Sequence, residues 1–98
     1  MEWQLRIYTI REGEFDEWAD EWSTHVAPLR SRFGFRVLGP WIDRERRTFV
    51  WLLGYEGEDG FAAADDRYYG SAEREAIQPD PARHIEAAEQ IPLRDLAD

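Results

Sequence analysis

Thr48-Phe49-Val50-Trp51-Leu52-Leu53-Gly54-Tyr55 is the stretch on which the reading of this chain turns. It is short and rich in aromatic and branched apolar residues, which is the composition of a strand. It does not alternate apolar with polar. One face carries Phe49, Trp51, Leu53 and Tyr55, and the other carries Val50 and Leu52. A strand apolar on both faces sits centrally in its sheet with cover on both sides. The remaining chain holds too few helices to cover both, so a second copy is expected on one of them.

Working outward, Phe35 to Ile42 pairs with this strand as a hairpin across the polar turn Asp43 to Arg47. Pro40 assigns that partner to an edge. Trp3 to Ile10 is a further strand. Trp3, Leu5, Ile7 and Thr9 read as its core face, and Gln4, Arg6, Tyr8 and Ile10 as a wetter lining. Glu14 to Phe33 is an amphipathic helix. Phe15, Trp18, Ala19, Trp22, Val26, Leu29 and Phe33 recur at three- and four-residue steps, acidic residues open it and Arg30 and Arg32 close it. Pro28 predicts a kink or restart near Thr24 and His25.

Phe61 to Tyr69 predicts a second helix, with Phe61, Ala64 and Tyr68 on one face. Ser71 caps a further short turn, and Gln78-Pro79-Asp80-Pro81 is a loop. His84 to Leu93 is assigned as the last strand because the topology needs one, although His84-Ile85-Glu86-Ala87-Ala88-Glu89 alone looks helical. The order strand, helix, strand, strand, helix, strand is that of an α+β ferredoxin-like fold, an antiparallel sheet with both helices on one face. Its open face would be buried by packing two sheets across a twofold axis, giving a dimeric α/β barrel.

Composition narrows the function classes. Residues 1–98 suffice for one domain and one core. A net charge of -9 argues against nucleic-acid binding and against anionic membranes. No stretch approaches a membrane span, and Glu2 and Arg6 interrupt any early apolar run, so a cytoplasmic location is the expectation. All 12 basic residues are arginine, which excludes Schiff-base chemistry on a lysine side chain. With no cysteine there is neither a disulfide nor a thiolate metal site, and two histidines make a protein metal centre unexpected. No cofactor motif is present. Five tryptophans favour an association surface or a cavity.

Several of these pieces together resemble the NIPSNAP family of the dimeric α/β-barrel group. They are Leu5-Arg6-Ile7-Tyr8-Thr9-Ile10 followed by Gly13, His25-Val26-Ala27-Pro28-Leu29, Gly34-Phe35 with Gly39 and Trp41, and Tyr55-Glu56 closing the third strand. The resemblance covers most of residues 1–70 and fades beyond them. Where the family carries a tryptophan shortly before the Tyr55 position, this chain has Leu53, with Trp51 one alternation earlier. The resemblance implies a homodimer with a cavity between sheet and helices. Neighbouring families on the fold include cofactor-independent monooxygenases, small isomerases and haem enzymes, and fold sharing does not transfer those activities.

The candidate residues each carry two readings. His25 beside the apolar stripe is a general base at a cavity mouth, or a helix-end histidine satisfying a carbonyl freed by Pro28. Arg6 and Tyr8 hold a carboxylate or enolate oxygen, or join a dimer-interface network with an acid of the partner. Trp41, Trp51 and Tyr55 form an aromatic wall for a planar ligand, or plain interface packing. Trp18 and Trp22 belong to the core. His84 is expected to be exposed, and the acidic runs Glu12 to Glu21 and Glu56 to Asp66 to be solvated helix faces. The expected function is a homodimer that binds a small aromatic or apolar molecule through Arg6, Tyr8, Trp41, Trp51 and Tyr55. The alternatives are a cofactor-independent monooxygenase or isomerase, with His25 taking a proton and Arg6 and Tyr8 stabilising the oxyanion, and a packed, non-catalytic scaffold.

Overall fold

The computed structural model describes residues 1–97. Strand β1 is Glu2–Ile10, β2 Arg36–Asp43, β3 Thr48–Tyr55 and β4 Ile85–Arg94. They form one antiparallel sheet in the order β2-β3-β1-β4, with β3 and β1 central as expected for the ferredoxin-like arrangement. Helices α1 (Phe15–Glu21) and α2 (Ala27–Arg32) are joined by a π turn, Trp22–Val26. Helix α3 (Phe61–Tyr69) is followed by the single turn α4 (Ala72–Glu75) and a 3-10 turn, Pro81–His84.

The π turn falls where Pro28 predicted a disturbance. Proline at the start of α2 donates no backbone bond, and the widened turn before it absorbs the mismatch while Trp22 and Val26 stay buried. Ser71 caps α4 by accepting from the Arg74 amide at 3.0 Å. Pro40 lies on the edge strand, at an irregularity in the β2–β3 register between Leu38 and Trp41. The proline loop is shorter than expected. Asp80 caps a 3-10 turn that begins at Pro81, because its carboxylate accepts from the Ala82 amide at 2.9 Å.

The two faces of β1 are the reverse of the expectation. Arg6, Tyr8 and Ile10 are buried under the helices, whereas Trp3, Leu5, Ile7 and Thr9 are half-buried on the open side of the sheet. Register explains this. Tyr8 pairs with Phe49 and Arg6 with Trp51, so these side chains share the face on which Trp18, Trp22, Val26 and Leu29 of the first helical segment land. Phe61, Ala64 and Tyr68 of α3 complete the same core. Phe49 is its hub, with ring centroids 5.4 Å from Trp18, 5.2 Å from Trp22 and 6.3 Å from Phe15.

The open face is apolar along all four strands. Leu5 and Ile7 face out with their β3 partners Leu52 and Val50, with Leu38 and Trp41 of β2 and with Ile91 and Leu93 of β4. Trp3 lies over Gly54, where an added Cβ would meet its ring at 2.6 Å. Gly54→Ala therefore has no room unless that ring moves. We expect it to displace Trp3 and lower stability by about 1 kcal/mol, read as a shifted urea midpoint.

Candidate functional site

Burying Arg6 under the helices demands a partner, and α3 supplies it. Asp65 Oδ1 accepts from Arg6 Nη2 at 3.1 Å and from Arg30 Nη1 at 2.7 Å. Both arginines are fully buried, while Asp65 keeps about a fifth of its side chain in solvent. Arg6 also donates to Gln4 Oε1 at 2.8 Å and to the Tyr69 hydroxyl at 2.9 Å. Arg30 stacks on Tyr68, its guanidinium carbon 3.7 Å from the ring centroid, with Phe35 at 4.7 Å. Burial alone would push the Arg6 guanidinium down, but Tyr69, Tyr8 and Asp65 facing it hold it above the ordinary arginine value.

Above this ion cluster lies a seam between the sheet and the helices, with a cavity of about 30 Å³, room for roughly two waters. Tyr8 and Trp51 come from the sheet, Trp18 and Arg30 from the first helical segment, and Tyr68 and Arg74 from the second. The Nε1 atoms of Trp18 and Trp51, the Nε of Arg30 and the Tyr68 hydroxyl are buried without a hydrogen-bond partner. Unpaired buried donors are rare, and these four are able to serve an acceptor that enters the seam. Burial pushes the phenols of Tyr8 and Tyr68 above the ordinary tyrosine value, against the opposing pull of Arg6 and Arg30 respectively, so both are protonated at neutral pH. The seam thus offers donors and holds no free base.

The expected pocket is split by this geometry. Tyr8 and Trp51 line the seam and Arg6 lies beneath Trp51, its guanidinium carbon 5.9 Å from the ring. Tyr55 is on the same face but away from the cavity. Its hydroxyl donates to Asp59 at 2.8 Å and accepts from Arg67 at 3.1 Å. Trp41 is on the opposite face, 56% exposed. The β2 irregularity places it among the open-face residues beside Val50. His25 is exposed on the π turn, outside the seam, because the buried positions of that turn are Trp22 and Val26. Arg30 of the seam and Asp65 of the ion cluster beneath it were not singled out from the sequence, although their spacing was informative. Arg30 follows Trp22 and Val26 at four-residue steps, and Asp65 follows Phe61 by four.

His84, expected to be exposed, is buried at the end of the 3-10 turn, just before β4. Its Nδ1 is 2.7 Å from Glu14 Oε1 and its Nε2 3.2 Å from Glu21 Oε2. The acidic run of α1 is therefore an anchor for the 3-10 turn as well as a solvated face. Arg83 donates to both Glu21 oxygens, at 2.9 and 2.7 Å, and to Glu17 at 3.0 Å. Ligand atoms of Glu17, Glu21 and His84 fall within 4.8 Å of one another, with Arg83 already donating to both glutamates. Arg83 holds the Glu21 carboxyl below the ordinary glutamate range; partial burial opposes this and His84 adds to it. A depressed carboxyl stabilises the fold above its unfolded value and loses that contribution as pH falls through the folded one. Glu21→Gln should cost about 1 kcal/mol at pH 7 and flatten the loss of stability below pH about 4.5. Urea midpoints across that range measure both.

A wider hollow of about 570 Å³ lies at the other end of the sheet, between Trp3, Leu93 and Phe61. The Glu2 carboxylate there already accepts from the Phe61 amide at 3.1 Å. Among the described residues it has no unpartnered buried polar atom, so the smaller seam is the better site.

No protein-family model and no curated protein matches the sequence. Solved structures do. An uncharacterized NIPSNAP domain protein from Burkholderia xenovorans superposes with a TM-score of 0.84 at 20% identity, over 99% of this chain and 96% of that one. This chain shares its ferredoxin-like fold with NIPSNAP-domain structures. A NIPSNAP family protein from Agrobacterium tumefaciens superposes at 0.82 with 19% identity, over 95% and 90% of the two chains. The NIPSNAP fold extends in turn to an antibiotic biosynthesis monooxygenase, at 0.72 and 13% identity over 98% and 99%. At these identities the likeness is one of architecture, and chemistry has to be argued from the seam. No helix among the described residues is long and apolar enough to cross a membrane.

Proposed function

We propose that this chain is a NIPSNAP-type protein, one domain across residues 1–98, that works in the cytoplasm as a homodimer. Its role is to bind a small aromatic or apolar molecule bearing a hydrogen-bond acceptor. The observation that carries the binding reading is the set of unpartnered donors lining one seam: Trp18, Trp51, Arg30 and Tyr68. Such groups are costly to bury without a partner, and a ligand oxygen relieves that cost. The cavity is small, so the polar end of the ligand enters it and the ring stays at the mouth, past Tyr69, Pro81 and Ala82. Native mass spectrometry of protein purified from its host tests this. A small-molecule adduct that Trp51→Phe weakens supports the reading, and a protein that carries no adduct and takes up no aromatic compound refutes it.

The dimer reading rests on the open sheet face. Leu5, Ile7, Val50, Leu52, Leu38 and Trp41 present an apolar surface, with Arg36, Asp43 and Glu89 at its margins. A second copy of the same face covers it without bringing the acidic helices together. Sedimentation at micromolar concentration should give twice the 11.6 kDa of one chain, and Leu52→Arg should shift it to the monomer.

The catalytic alternative keeps Arg6 and Tyr8 as stabilisers of an oxyanion. It has no place for His25 as the base, since that residue stands outside the seam.

A further inference from the structure

We propose that the ligand of this seam is an anion, most simply a small aromatic carboxylate, whose two oxygens are held by Arg30, Tyr68 and the indole N–H groups of Trp18 and Trp51. This inference rests on the small-molecule reading above and narrows it to one chemical class.

Charge comes first. Arg6 and Arg30 are both fully buried and share a single carboxylate, Asp65. Arg74, at the mouth, is already matched by Asp80 at 2.8 Å. Among the described residues, one buried positive charge is therefore left without a buried counter-charge. Stacking on Tyr68 and Phe35 offsets part of that cost. An anion removes the rest.

Donor chemistry points the same way. The indole N–H and the arginine Nε–H can only donate, and the protonated Tyr68 hydroxyl adds a fourth donor. A carboxylate accepts at both oxygens, whereas an amide of the same shape has only one. Arg30 stacks by its face, so its Nε edge stays available to a ligand.

Size completes the argument. Room for roughly two waters is room for the two oxygens of one carboxylate, with the rest of the acid against the aromatic rim. The rest of the chain is strongly acidic, so indiscriminate anion uptake is disfavoured and any saturable binding reports on the seam.

The test is a titration of the intact protein with benzoate and with its neutral isostere benzamide, followed by tryptophan fluorescence and calorimetry. Benzoate should saturate, with benzamide at least about tenfold weaker. Equal binding of the two overturns the anion and leaves the small-molecule reading standing. Binding of neither, up to about 10 mM, a free energy near the millimolar limit of useful recognition, overturns both. Tyr68→Phe separates site from scaffold, because it removes only a hydroxyl that bonds no protein group. It should keep the melting temperature or raise it, while weakening benzoate about five- to tenfold. A Tyr68→Phe protein that binds benzoate as tightly as the native chain overturns the placement.

Discussion

Asp65→Asn should lower the stability of this chain by about 3 kcal/mol, a fall of roughly 12–24 °C in melting temperature for a domain of this size. Among the described residues the carboxylate is the one acid bridging two fully buried arginines, 3.1 and 2.7 Å away. Asparagine keeps the shape and removes the charge, so Arg6 and Arg30 would face each other without a counter-ion. Breaking a buried pair from one side costs more than the pair itself contributes, because the remaining charge is stranded. Here it strands two. Asp65 is partly exposed, and water admitted there softens the loss, which keeps it at the lower end of the about 3–5 kcal/mol that breaking a buried pair costs. Adding Arg30→Met to Asp65→Asn removes one stranded charge and should restore about half of the deficit. Urea denaturation at fixed protein concentration measures the cycle. A single substitution within 0.5 kcal/mol of the native chain would show that the bridge does not stabilise the fold.

The second large effect separates the two faces of the sheet. Phe49→Ala should cost about 3–5 kcal/mol, because its ring touches Phe15, Trp18 and Trp22 at once and is 1% exposed. Trp41→Ala removes a larger side chain from the same hairpin and should leave the folding of a single chain nearly unchanged, since that indole is 56% exposed. Its effect should fall on association, as a weaker dimer in sedimentation. If Trp41→Ala unfolded the chain as Phe49→Ala does, the open face would be part of the monomer core. If it changed neither stability nor subunit count, the face would not be the dimer interface.

Much of the architecture was legible locally. A kink or restart near Thr24 and His25 was expected from Pro28 and is a π turn, while the central position of β3 came from its double apolar face and the last strand from topology against a helical-looking His84 to Glu89. The resemblance to NIPSNAP proteins, carried by short pieces in the first 70 residues, agrees with superposition over nearly the whole chain. The site was legible only in part. Arg6, Tyr8 and Trp51 share a face because strand side chains alternate, and that alternation can be read directly. Trp41 was misassigned because a one-residue bulge, Gly39 and Pro40 standing against the single Trp51, shifts the phase of β2 relative to β3.

What the sequence determined by itself is therefore periodicity: which residues share a face, where helices begin and bend, and the order of elements. Which face of β1 is buried follows from long-range contacts instead. An arginine on a strand reads as wet from local pattern, and it becomes a core residue when an acid 59 positions away folds over it. The same holds for His84, buried between Glu14 and Glu21 some 70 and 63 positions distant. Whether a polar side chain can be buried depends on a partner, and the partner's arrival is a property of the fold as a whole.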